Sequence, residues 1–302
     1  MTRYFEKKMI RLKEIISSFP HEISCNVIVC VDSAEHEESV RELYANVMTV
    51  DKHPSTEGNF SIIHYQKGYH TRNFSEQLLS DLNASLAKNE LFIVYQPKVC
   101  PIKKQVMSAE ALIRWQHPEF GFVSPAVFVP ILEANNRMNE VTNWVIHQVC
   151  EQMKQWGREP SMPQNVSINI SASYLSSPLL KEQLLQSVRT FNVRPEQIEL
   201  EVTETSFVNS IEQAKRAIEE LRNVGFSLAI DDFGVGVSSL AYLKEFKFST
   251  LKVDKSFVDH VPQSTKDNFI LQSILSLGES LHMDLVVEGV ETKEQVEFLS
   301  SL

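Results

Sequence analysis

Cysteine is scarce in this chain, and where it occurs it is not paired. The four residues Cys25, Cys30, Cys100 and Cys150 contain no CxxC pair. The sequence therefore suggests neither a zinc site nor a disulfide framework, and reads as carrying reduced thiols. Long apolar runs are also missing: none approaches the ~18 residues of a membrane span. The opening MTRYFEKKMIRLKEII sets charges among its apolar residues, unlike a signal peptide. Positive charge is in deficit, with 29 Lys and Arg against 39 Asp and Glu and a formal net charge of -10. That argues against a broad nucleic-acid surface, which needs a basic face. A small anionic ligand held by metal ions or a few local cations stays compatible with it. The expectation is a cytoplasmic protein without a membrane segment and without a DNA or RNA polymer as partner.

With 302 residues, 43% of them hydrophobic, the chain is long enough for one large or two ordinary domains. Residues 1–70 read as a small α/β unit. Tyr4, Phe5, Met9, Leu12, Ile15, Ile16 and Phe19 form a helical stripe; 25–31 and 60–65 read as strands, and 36–47 as a helix. Residues 71–90 read as a linker helix, with Leu78, Leu79, Leu82 and Leu86 at helical spacing.

From residue 91 onward strands and helices alternate. Strands are expected at 91–95, 107–115, 166–171, 198–203, 226–231, 251–256 and 284–289. Helices are signalled by the stripe Val141, Trp144, Val145, Val149, Met153 stopped at Gly157, by Ser177-Pro178, by Ser210 with Gln213 ahead of Gly225, over 265–282, and by Thr292 with Gln295. Such alternation indicates a parallel sheet. A closed α/β barrel is the leading architecture, and an open doubly wound sheet is the second.

Strands buried on both faces normally read as unbroken apolar runs, and several here do not. Ser108, Glu110, Leu112 and Arg114 share one face of their strand. Ser167, Asn169 and Ser171 share another, as do Glu199, Glu201 and Thr203, and Lys252 and Asp254. The apolar strand from Phe226 ends in Asp231 and Asp232, where Gly234 and Gly236 make a bend cheap. In a barrel, polar residues at strand ends converge on the mouth. The converging set is Glu110, Asn169, Glu201, Asp231, Asp232, Lys252 and Glu288. Five carboxylates do not stay close as anions without cations. An all-oxygen donor set selects Mg²⁺, Mn²⁺ or Ca²⁺ over zinc. Two such ions sharing a carboxylate, ~4 Å apart, suit hydrolysis of a phosphodiester. Arg114 offers a fork for a phosphate, and Lys252 a cation for water or phosphate. Asp254 reads as a buried partner of Lys252, and His117 as a turn residue rather than a ligand.

Eight strings, in order, resemble the EAL domain, a bacterial cyclic di-GMP phosphodiesterase: Tyr95-Gln-Pro97, Glu110 to Trp115, His117-Pro118, Ser167 to Ser171, Glu201-Val-Thr-Glu204, Asp231-Asp-Phe-Gly234, Leu251 to Asp254 and Glu288 to Thr292. The resemblance covers about residues 75–302. It implies a TIM-like (β/α) barrel with an antiparallel first strand, hydrolysing cyclic di-GMP to linear pGpG with two Mg²⁺ or Mn²⁺ ions. By position, Glu110, Asn169, Glu201 and Asp231 resemble ligands of one metal, and Asp231, Asp232 and Glu288 ligands of the other. Lys252 resembles the residue that helps activate water, alongside Glu110 and Glu288 in the catalytic set. Gln96, Leu112, Arg114 and Asp254 resemble substrate contacts. Glu204 resembles the anchor of the loop after Asp232, which in the family shapes substrate binding and often a homodimer interface. That loop reads DFGVGVSSL here, where the family usually has DFGTGYSSL, so Val235 and Val237 replace hydroxyl-bearing residues. With seven strand candidates from residue 91, the expected barrel (residues 91–302) lacks its last strand. Residues 1–70 loosely resemble the end of a GGDEF domain. The alternative function is an impaired EAL module that binds cyclic di-GMP or a protein partner without turnover.

Overall fold

A computed structural model of the chain describes residues 25–30, 60–65, 72–157, 159, 162–203, 211–234, 243 and 245–302. Its contacts define two compact units, Met1–Glu90 with Trp115–Ile131, and Leu91–Arg114 with Leu132–Leu302.

In the first unit, strands β1 (Cys25–Cys30) and β2 (Phe60–Tyr65) pair in parallel, Val27 opposite Ile62. Both match the strands expected there; the expected helices over 4–19 and 36–47 lie outside the described residues. Helix α1 (Arg72–Ala87) buries Leu78 and Leu82, as its leucine spacing requires. His117, expected in the turn, is the last residue of the strand before it, Gln105–His117, and pairs with Gly121. Its Nδ1 accepts the backbone N–H groups of Glu119 and Phe120, and its Nε2 stands 3.3 Å from Asp81. Trp115 packs edge-on against Phe128, both fully buried.

In the second unit, β3 (Leu91–Cys100) and β4 (Gln105–His117) are hydrogen-bonded neighbours joined by only residues 101–104. So short a link makes them antiparallel, since a parallel pair needs a crossover of a dozen residues or more. Within the first unit, a short strand, β5 (Gly121–Val123), folds back antiparallel on Trp115–His117 where only a turn is expected from sequence. Next come β6 (Val166–Asn169), β7 (Ile198–Thr203), β8 (Ser227–Phe233), β9 (Thr250–Val253) and β10 (Asp284–Val287). The sheet order is β3-β4-β6-β7-β8-β9-β10, parallel from β4 onward. Each new strand adds to the same side. A doubly wound sheet reverses its order at a switch point; this one winds in a single direction, as a barrel does.

Helices lie in the crossovers because their sequences start, stop and bury as required. Helix α2 is Pro125–Ala134. Helix α3 (Met138–Trp156) buries Val141, Val145, Ile146, Val149 and Met153 on one stripe and ends at Gly157, φ 62°. A single turn, α4 (Ala172–Leu175), precedes α5 (Pro178–Phe191). Ser177 accepts from Leu179 N–H at the start of α5, and Asn192 takes the left-handed conformation at its end, where it frees the chain to turn back. Helices α6 (Ile211–Asn223), α7 (Thr265–Ser280) and α8 (Lys293–Ser300) follow; Thr292 and Gln295 form the expected capping box of α8. Ile168, Ile198, Leu200, Val202, Leu228, Leu251 and Val253 are essentially inaccessible. Burying each such side chain is worth about 1.5–3 kcal/mol, and this holds the strand ends in place. No helix among the described residues is long and apolar enough to cross a membrane.

Candidate active site

The strands of the second unit deliver one polar side chain each to a common point. Glu110 comes from β4, Asn169 is the last residue of β6, Glu201 pairs with it on β7, and Asp231 lies near the end of β8. Lys252 is on β9, and Glu288 follows β10, its N–H bonded to Val253 O. Asn169, Glu201, Asp231 and Lys252 sit toward the carboxyl ends of their strands and Glu288 just beyond one, whereas Glu110 lies mid-way along the longer β4. Lys252 Nζ is the hub, 2.7 Å from Glu201, 2.8 Å from Glu288, 3.0 Å from Asp231 and 3.2 Å from Glu110. Asn169 Nδ2 donates to the other oxygen of Glu110 at 2.9 Å.

A local irregularity serves the Asp pair. Ile230 aligns with Leu251 but Phe233 with Val253, so β8 carries one residue more than β9 between these points. Such a bulge re-aims side chains. Asp232 takes φ 53° and its N–H bonds to Asp231 Oδ1. The bend expected at the glycines thus begins at Asp232 itself. Asp231 is buried and Asp232 exposed.

The electrostatics follow from burial and crowding. Burial opposes the charge on Lys252, but Glu201, Asp231, Glu110 and Glu288 outweigh it and hold the amine well above its ordinary value, as an ammonium. Glu201 is likewise buried, yet Lys252 and Lys98 keep its carboxylate below the usual range. Glu110 is raised by burial and then by Glu201; Glu288 is raised by burial against the pull of Lys252; Asp232, though exposed overall, is raised by partial desolvation of its carboxyl and by Asp231. Negative charge in the cluster therefore exceeds what Lys252 and Lys98 compensate. Among the described residues no three Asp, Glu, His or Cys side chains already stand at the spacing that holds an ion; the point of convergence is Lys252 Nζ.

The sequence reading and the structure differ in detail. Gln96 is exposed, and Leu112 and Arg114 are half-buried; among the described residues none of the three joins the cluster's hydrogen bonds, and Arg114 donates to Ile113 O. Asp254 is not the buried partner of Lys252. Strand β9 stops at Val253, so Asp254 falls in the following turn, where its carboxylate accepts from Ser256 N–H and is held below its ordinary range by that residue. Glu204, Val235, Gly236 and Val237 lie outside the described residues. Lys98, Glu199 and Thr250 were not expected. Lys98 Nζ stands 2.7 Å from Glu201 and 3.3 Å from Glu199, and Thr250 Oγ1 donates to Glu199.

Residues 79–302 match the model of the EAL domain. This chain belongs to the EAL domain family. Relatives include the bifunctional diguanylate cyclase/cyclic di-GMP phosphodiesterase MucR of Pseudomonas aeruginosa, 30% identical over 98% of this chain and 44% of its own length. The cyclic di-GMP phosphodiesterase NbdA of the same organism is 35% identical over 74% of this chain and 28% of its own length. The chain thus spans less than half the length of these curated relatives. Among solved structures, the MucR phosphodiesterase in complex with c-di-GMP superposes with a TM-score of 0.69 at 34% identity, covering 74% of this chain and 91% of that one. The EAL enzyme Bd1971, bound to cAMP and cyclic di-GMP, gives 0.70 at 27% identity, covering 78% of this chain and 64% of that one. The EAL domain here is a TIM-like α/β fold with an antiparallel first strand, and the charged cluster draws on strands from β4 to the end of β10.

Proposed function

We propose that this EAL domain hydrolyses cyclic di-GMP to linear pGpG with the help of two divalent ions, Mg²⁺ or Mn²⁺. The observation that carries the reading is the convergence of Glu110, Asn169, Glu201, Asp231 and Glu288 on Lys252 from successive strands, with Asp232 beside them. The donor set fits hard divalent ions: it is all oxygen, and its carboxyl charge exceeds what Lys98 and Lys252 neutralise. Glu110, Asn169, Glu201 and Asp231 would hold one ion, and Asp231, Asp232 and Glu288 the other. When bound, such a pair lowers the pKa of a coordinated water and stabilises charge on the phosphate.

The chain's own residues do the rest. Lys252, held as an ammonium, is a donor and a positive charge rather than a proton acceptor. It orients the attacking water and the non-bridging phosphate oxygens. Arg114, with donors to spare beyond its one backbone bond, offers a bidentate fork to a phosphate. Gln96, Leu112 and Asp254 complete the substrate contacts. Glu204 anchors the loop after Asp232, through which two copies of the domain pair. The protein works in the cytoplasm without binding a nucleic-acid polymer.

Purified protein incubated with cyclic di-GMP and Mg²⁺ or Mn²⁺ should yield pGpG by chromatography, and Glu110→Gln should abolish it. Normal turnover by that variant would sink the site assignment. Retained binding of cyclic di-GMP without product would favour a sensor module over an enzyme.

A further inference from the structure

Glu201 is held from two sides. Its Oε2 lies 2.7 Å from Lys252 on β9, and its Oε1 lies 2.7 Å from Lys98 on β3. β3 and β7 are not neighbours in the sheet; β4 and β6 lie between them. Lys98 therefore reaches Glu201 across the inner face rather than along a ladder. Its own position is fixed. Glu199, two residues before Glu201 and hence on the same face of β7, takes Lys98 at 3.3 Å, and Glu199 is in turn bonded by Thr250 Oγ1. The chain of contacts runs Thr250, Glu199, Lys98, Glu201, Lys252. The Glu201 carboxylate is fully inaccessible and the Lys98 side chain 12% exposed, so water competes little for either. A carboxylate tied at each oxygen by a separate cation does not rotate freely.

We propose that Lys98 is a positioning residue for Glu201: by holding Oε1 it leaves Oε2 as the oxygen turned toward Lys252 and the other carboxylates, the side on which an ion would bind. Lys98 acts through Glu201 and Glu199 and has no contact with substrate. Groups that hydrogen-bond a ligating carboxylate fix its orientation, and their loss commonly weakens metal affinity by about 10–100-fold. This inference rests on the metal reading above.

The test is calorimetric titration of the metal-free full chain with MnCl₂, for wild type, Lys98→Met, Lys98→Arg and Glu199→Gln. Lys98→Met should weaken Mn²⁺ binding by about 10–100-fold. Lys98→Arg, which keeps charge and donors, should recover most of that loss. Glu199→Gln alters no proposed metal ligand and should weaken binding in the same direction; it carries the test should Lys98→Met fail to fold. A crystal structure of Lys98→Met should show the Glu201 carboxylate turned from its present plane. Unchanged or tighter Mn²⁺ binding in both Lys98→Met and Glu199→Gln, beside a wild type that binds, would overturn the role of Lys98 alone. A wild type that binds no Mn²⁺ would overturn the metal reading and this one with it.

Discussion

Lys252 and Glu201 form an ion pair of 2.7 Å in which neither side chain is more than 1% exposed. A buried pair of this kind is poor evidence of net stability, but breaking it strands a charge, which costs about 3–5 kcal/mol. Lys252→Met should lose stability of that order in urea unfolding without divalent ions. Lys252→Met combined with Glu201→Gln should lose less than the two single losses together, because the second change removes one of the stranded charges. Simple additivity would show that the pair is not coupled.

Gly234 should resist side chains. Its φ is 95°, and a Cβ there would lie 2.6 Å from the ring of Phe257. Gly234→Ala should cost about 1–3 kcal/mol, with a larger loss of turnover than of fold because the residue follows Asp231 and Asp232. A thermal melt set beside a pGpG assay checks both. Phe257→Ala should relieve the clash but leave the penalty of positive φ.

Cys150 and Cys100 should differ in chemistry. Burial pushes the Cys150 thiol up to about 12, and only the thiolate reacts. At pH 8 almost none of Cys150 is thiolate, whereas Cys100 is partly exposed. Peptide mapping after brief iodoacetamide treatment should find Cys100 modified and Cys150 intact, and raising the pH to 9 should not change the Cys150 result. Both should react in denaturant.

Arg114→Ala should raise KM with little change in kcat. Hydrogen bonds to charged groups are worth about 1.5–3 kcal/mol, so the expected effect is about 10–100-fold. An unchanged KM would remove Arg114 from the substrate contacts.

Much of the site was legible because alternation along a strand is a strict signal. Glu110, Asn169, Glu201 and Lys252 each break an apolar run at the period of the pleat, and all four meet. What escaped notice did so for physical reasons. Lys98 follows Pro97, and a proline normally argues against a strand continuing. β3 nevertheless runs on to Cys100, because it is the last strand in the sheet order and proline is tolerated at an edge. Pro130, a helix breaker in most settings, likewise hid α2. Glu199 looked like another polar-face residue until its partner across the sheet was known. Asp254 was misplaced by a single residue at a strand end, the place where local pattern says least about direction.

The single-direction winding of the sheet bears on how the protein folds. The contacts of Lys252 with Asp231, Glu201 and Glu110 span 21, 51 and 142 residues, and that of Lys98 with Glu201 spans 103. Contacts this distant in sequence form late and slowly, since the intervening loops must close first. Until they form, the carboxylates and ammonium groups stay apart and solvated. The charged cluster should therefore close only after the strands from β3 to β10 have come together.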